Sequence, residues 1–244
     1  MRYIISDIHG CYDEFMQLLE KINFSKEDEL YILGDTVDKG PEPIKVMQEL
    51  MKRENVFYII GNHDYIMYKV MKKMAVEITE ENVESHLTKE DIKDYMVWIS
   101  DGGDVTSSQF TSLSRSEQRD ILEYIEESEV FEEIYHKDKR FILVHAGIND
   151  FNEDFDMDEY QLKDLLFYRA DYSKRYFSDE NTFLVTGHTP TIKIRDDKKP
   201  LIYKENGHIA IDCGCVYGGN LAAYCIETGQ EFYVKREADK WNIF

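Results

Sequence analysis

At 244 residues the chain can form one large domain or two small ones, and 43% hydrophobic with 32% charged residues excludes a mainly disordered polymer. Lys+Arg number 29 and Asp+Glu 49, a net charge of −20 that repels polyanions, so neither nucleic acid nor an anionic membrane is expected as a partner. No run of about eighteen apolar residues exists to span a bilayer, and the opening Met1-Arg2-Tyr3-Ile4-Ile5 lacks a signal-peptide pattern, so the expected compartment is the cytoplasm.

A strand-like run occupies 2–6. Further β-branched and aromatic runs lie at 30–33, 56–60, 140–145, 182–186, 208–212, 221–226 and 231–235. Helical periods separate the early ones. Over 12–22, Phe15, Leu18, Leu19 and Ile22 recur at i, i+3, i+4 and i+7, and over 43–52 Ile44, Met47, Leu50 and Met51 repeat that pattern. Strand, helix, strand, helix, strand is the signature of an α/β sheet. Residues 65–135 differ. They are acidic and helical in period, with Glu80-Glu81, Glu126-Glu127 and Glu132-Glu133, and read as a solvated insert within one domain spanning 1–244. The C-terminal third is mostly strand, which predicts a second, antiparallel or mixed sheet packed on the first. Cys11, Cys213, Cys215 and Cys225 are expected to be small buried free thiols, because Cys213-Gly214-Cys215 is too tight for the usual zinc spacing.

The residues that carry chemistry stand where the strands end. Asp7-Ile8-His9-Gly10 comes after the first strand, Gly34-Asp35-Thr36-Val37-Asp38-Lys39-Gly40 after the second and Gly61-Asn62-His63-Asp64 after the third. Two later strands run into His145-Ala146-Gly147 and Gly187-His188-Thr189-Pro190. The carboxyl ends of strands in an α/β sheet converge on one crevice, so Asp7, His9, Asp35, Asn62, His145 and His188 are expected together. Of seven histidines, four (His9, His63, His145, His188) stand at strand ends beside glycine. Imidazole and carboxylate without thiolate suit a hard-to-borderline divalent ion such as Mn, Fe, Zn or Co. Two such ions roughly 3.5–4 Å apart clamp the attacking and leaving oxygens in phosphoryl chemistry.

In this order the blocks resemble those of the calcineurin-like metallophosphoesterases, and within them the phosphoprotein-phosphatase branch with bacterial and phage Ser/Thr phosphatases. Nuclease and phosphodiesterase relatives usually end in Gly-His-x-His, whereas Pro190 comes after Thr189 here, which favours the phosphatase branch. Three further segments are similar to that branch: Trp98-Ile99-Ser100-Asp101-Gly102-Gly103, Leu166-Phe167-Tyr168-Arg169, and the run from Ile211 to Leu221. The resemblance implies an α/β sandwich of two mixed β-sheets flanked by helices, with the acidic helical insert added. It implies two divalent metal ions, with manganese first and iron, zinc, cobalt or nickel as alternatives. Asp7, His9 and Asp35 would hold the first ion, Asp35 would bridge, and Asn62, His145 and His188 would complete the second. A hydroxide bridging the ions would attack phosphorus directly. His63 would protonate the leaving oxygen, Asp38 would orient it, Arg169 and Lys39 would grip phosphate, and Tyr217 would border the substrate.

Two departures stand out. Lys39 occupies a position where the family usually has arginine, and a point charge replaces a planar fork. Asp64 stands where protein phosphatases commonly have glutamate, and Gly-Asn-His-Asp is also the pattern of symmetrical diadenosine tetraphosphatases. The leading expectation is a metal-dependent phosphomonoesterase acting on Ser/Thr phosphoproteins or a small phosphorylated substrate. The alternatives are a symmetrical bis(5'-nucleosyl)-tetraphosphate hydrolase and a non-catalytic phosphoprotein-binding relative.

Overall fold

The computed structural model describes residues 1–75 and 88–237, so Glu80-Glu81 of the insert lies outside the described residues. The chain runs through β1 (Arg2–Ile5), α1 (Tyr12–Lys21), β2 (Glu29–Leu33), α2 (Pro43–Met51), β3 (Val56–Ile59) and α3 (Asn62–Met74). Then come α4 (Lys89–Trp98), α5 (Asp104–Thr111), α6 (Arg115–Glu126), β4 (Phe131–His136), β5 (Lys139–Val144) and α7 (Leu162–Leu166). Last are β6 (Thr182–Thr186), β7 (Tyr203–Glu205), β8 (His208–Ala210), β9 (Asn220–Cys225) and β10 (Glu231–Lys235).

Two five-stranded mixed sheets result, ordered β10-β9-β1-β2-β3 and β4-β5-β6-β8-β7. Each has three consecutive parallel strands, β1-β2-β3 at one side of the first and β5-β6-β8 in the middle of the second, completed by antiparallel neighbours. Side chains alternate faces along each strand. Ile4, Leu33 and Ile59 of one sheet therefore meet Phe141, Leu143 and Val185 of the other in a dry layer. Their neighbours Ile5, Leu30 and Ile32 point outward to the apolar faces of α1 and α2, through Phe15, Leu18, Met47 and Leu50.

The C-terminal strands depart from expectation. The second sheet begins at β4, whereas β9 and β10 return to the first sheet, with β9 antiparallel to β1. Within the insert, residues from Phe131 onward are strand, not helix. Its helices pack against α2 and α3. Between α4 and α5 the chain kinks at Gly102, with φ +98°, and a Cβ there would lie 2.7 Å from Lys39 Cγ. The missing side chain lets the insert touch the loop after β2, where the Lys39 amide donates to Gly102 O. Among the described residues no helix is long and apolar enough to cross a membrane.

Candidate active site

The turns leaving β1, β2, β3, β5 and β6 lie side by side, and the short exits bend the backbone hard. Asp7, His9, Asp35, Asp38, Lys39 and His188 all have φ between +43° and +69°, the left-handed region. Such strain costs on the order of 1–3 kcal/mol per residue and persists only where the surroundings enforce it. Much of that enforcement comes from Asp64. Its buried carboxylate accepts from the amides of Asp35 (2.6 Å), Thr36 (3.0 Å) and Gly61 (3.0 Å) and from the Thr36 hydroxyl (2.7 Å). It ties the turn after β2 to the start of α3. Gly61 has no room for a side chain, since a Cβ would sit 2.2 Å from the Asp35 nitrogen.

Asp35 stands at the centre of the cluster. His9 Nε2 lies 3.5 Å from Asp35 Oδ2 and His145 Nε2 3.4 Å from Asp35 Oδ1. The donor atoms of His9, Asp35 and His63 fall within 4.8 Å of one another, as do those of Asp35, His145 and His188. Asn62 Oδ1 lies 2.9 Å from His145 Nε2 and 2.8 Å from His188 Nδ1. The Asp7 carboxylate accepts from the His188 amide at 2.9 and 3.1 Å and belongs to neither trio. Burial works against the Asp35 anion, but His145, His63, His9 and Lys39 outweigh it and hold the carboxyl well below the usual range. Burial drives the rings of His9 and His188 down to about 3, so both are neutral and offer lone pairs. Asp7 is raised, first by burial and then by repulsion from Asp212 and Asp35. Burial, against a bond from the Gly214 amide and with repulsion from Asp35, lifts Asp212 to about 6.

This donor set fits divalent cations. His145 Nδ1 donates to Leu33 O at 2.8 Å and His9 Nδ1 to Val37 O at 2.7 Å. A ligating histidine commonly anchors its second nitrogen this way. With its Nδ1 committed to Leu33 O, His145 turns Nε2 toward Asn62 Oδ1 at 2.9 Å and Asp35 Oδ1 at 3.4 Å, an arrangement that a cation would reconcile. Buried carboxylates that repel one another require the same compensation.

An imidazole–carboxylate pair flanks the cluster. His63 Nδ1 donates to Asp38 Oδ2 at 2.8 Å, and the same oxygen accepts from the Trp98 indole at 2.8 Å. Asp38 Oδ1 accepts from the Thr106 hydroxyl at 2.7 Å, so Asp38 is fully buried and fully bonded. Burial opposes charge on His63, but Asp35 and the Asp38 bond prevail and raise its pKa above the ordinary histidine value. The Lys39 ammonium lies 2.7 Å from His63 Nε2 and 3.2 Å from His9 Nε2, with the Tyr217 ring centroid at 5.9 Å. Arg169 Nη1 donates to His188 O and to Thr189 Oγ1. Tyr217 is an exposed rim residue, at 66%.

A model of the calcineurin-like phosphoesterases matches residues 3–208. The chain belongs to that family. Among relatives of this calcineurin-like phosphoesterase is the bis(5'-nucleosyl)-tetraphosphatase PrpE [asymmetrical] of Oceanobacillus iheyensis, 28% identical over 91% of this chain and 86% of that protein. A symmetrical bis(5'-nucleosyl)-tetraphosphatase of Wigglesworthia glossinidia brevipalpis is 35% identical, but over 40% of this chain and 36% of its own length. A crystal structure provisionally assigned as a diadenosine tetraphosphatase superposes with a TM-score of 0.66 at 20% identity, covering 99% of this chain and 94% of that one, and shares the fold.

The structure thus gathers Asp7, His9, Asp35, Asp38, Lys39, Asn62, His63, His145, Arg169 and His188, with Tyr217 at the rim. Three contributors were not legible as such. Asp212 comes after a strand but carries no glycine-histidine signature, Thr106 sits in a polar helix, and Asp64 stands out in the sequence only as a departure from glutamate.

Proposed function

We propose that this calcineurin-like phosphoesterase hydrolyses dinucleoside tetraphosphates, cutting at a terminal phosphorus to release a mononucleotide and a nucleoside triphosphate. The observation that carries the chemistry is the Asp35-centred set of nitrogen and oxygen donors with the Asp38-braced His63 on its flank. The substrate class is supported by relatives named as tetraphosphatases that match nine tenths of the chain. Two divalent ions, manganese first, held by Asp7, His9, Asp35, Asn62, His145 and His188 would supply Lewis-acid activation of water and neutralise phosphate charge.

The remaining work falls to this chain's own side chains. Lys39, beside His9 and His63, and Arg169, beside His188 and Thr189, hold the chain of anions in line. His63 delivers the proton that its raised pKa retains to the leaving phosphate oxygen, and Asp38 fixes the ring for that transfer. Two exposed aromatics favour a dinucleotide over a peptide: Phe167 (44% exposed), two residues before Arg169, and Tyr217 beside Lys39. Each offers a purine a stacking face, an interaction worth about 1–3 kcal/mol per base.

The test compares diadenosine tetraphosphate with a phosphothreonine peptide on one manganese-loaded preparation and separates the nucleotide products. AMP with ATP is the expected outcome. Two molecules of ADP would assign a symmetrical cut, and a higher kcat/KM for the peptide would return the protein to Ser/Thr phosphatases.

A further inference from the structure

Outside the active site, a second cluster of reactive groups joins the two ends of the chain. The sulfurs of Cys11 and Cys215 and a carboxylate oxygen of Glu14 lie within 4.8 Å of one another. Cys11 precedes the first turn of α1, two residues after His9. Cys215 opens the short turn Cys215–Tyr217 at the rim. Both are free and buried, at 0% and 2% exposure. Cys11 Sγ also accepts from Arg236 Nη1 at 2.7 Å, so a guanidinium stands against the pair. The positive charge there disfavours a cation and leaves thiol chemistry as the use of the pair. Cys213 and Cys225 fall in no such cluster among the described residues. A disulfide needs sulfurs about 2.05 Å apart. From 4.8 Å or less, closing the bond requires the two sulfurs to approach by at most about 2.8 Å.

We propose that Cys11 and Cys215 are a dithiol oxidised by hydroperoxides, closing a bond that staples the turn after His9 to the rim turn leading to Tyr217. The Cys11 sulfur attacks one peroxide oxygen, an S–O bond forms, the O–O bond breaks, and the departing hydroxide takes the thiol proton as water. The Cys215 sulfur then attacks the sulfenic sulfur and expels a second hydroxide, which takes the Cys215 proton through Glu14. One hydroperoxide is reduced by two electrons and two thiols are oxidised. Burial of both sulfurs restricts the oxidant to a small molecule such as hydrogen peroxide.

The test exposes the full-length folded protein to hydrogen peroxide, then alkylates it under denaturing conditions and maps the peptides without reduction. The expected result is loss of two of the four alkylatable thiols, a peptide joining Cys11 to Cys215, and return of all four thiols with dithiothreitol. The Cys215→Ala variant, with Cys213→Ala as its control, should lose the linked peptide while the control keeps it. Four alkylatable thiols after peroxide, a bond between molecules, or a linkage through Cys213 or Cys225 would overturn the proposal. Neither readout depends on the substrate of the active site.

Discussion

At the scale of single residues the proposed reading divides the site between groups that hold ions and groups that move a proton. The division can be tested. His63→Asn should lower kcat by about 10²–10⁴-fold, the range of a positioned acid, while metal content stays near that of the parent. Loss of metal along with activity would place His63 among the ligands instead, which its position within 4.8 Å of His9 and Asp35 makes a real contest. Lys39 gives a second test. Its ammonium is a single point that reaches both His63 and His9, whereas a guanidinium would hold phosphate through two parallel bonds. Lys39→Arg should therefore lower KM several-fold with a smaller change in kcat, measured by initial rates on diadenosine tetraphosphate. An unchanged KM would take Lys39 out of the phosphate grip.

At the scale of elements the insert matters beyond its solvated surface. α4 delivers the Trp98 indole and α5 the Thr106 hydroxyl to Asp38, so helices far from the sheets in sequence set the carboxylate behind His63. A hydrogen bond to a charged group is worth about 1.5–3 kcal/mol, and Trp98→Phe should cost kcat about ten- to a hundredfold with KM little changed. The start of β2 offers a pH test. Burial alone would raise Asp28, but the N-terminal ammonium, 2.7 Å away, and Ser25 lower it below 3.8. A depressed carboxyl contributes stability above its unfolded pKa and loses it as pH falls through the folded value. Asp28→Asn should therefore lower Tm at pH 7, and the difference from the parent should shrink as pH falls below 3.8 through the depressed value.

The elements carrying the site were legible because a β-branched run ending in glycine with Asp, His or Asn says both where the strand stops and what it presents. β4 and β7 were hidden for a physical reason. Edge strands bury one side only, so Phe131-Glu132-Glu133 and Tyr203-Lys204-Glu205 carry charges that mask their period. The placement of β9 and β10 was hidden because pairing between chain ends leaves no local mark. The bonds from Trp98 and Thr106 to Asp38 were hidden likewise, since nothing near position 38 announces partners sixty or more residues on.

At the scale of the whole molecule, the site joins both sheets, with Asp7, Asp35 and Asn62 from one and His145 and His188 from the other. Ions bound there should brace the halves. Saturating Mn²⁺ at a hundred times Kd adds about 2.7 kcal/mol to the folded state, seen as a Tm several degrees higher that chelation reverses. Asp35→Asn should abolish that response, and a variant that still responds would move the ions elsewhere.

The place of β9 against β1 has a consequence for biosynthesis. Translation releases Ile4 and Ile5 first, yet one flank of their strand has no neighbour until residues past 220 have left the ribosome. Until then that flank is a bare row of amides and carbonyls on a hydrophobic strand, the kind of edge that recruits other chains. Synthesis stalled before β9 should therefore yield aggregate rather than a weakened enzyme, and chaperone demand should fall only as the last strands emerge.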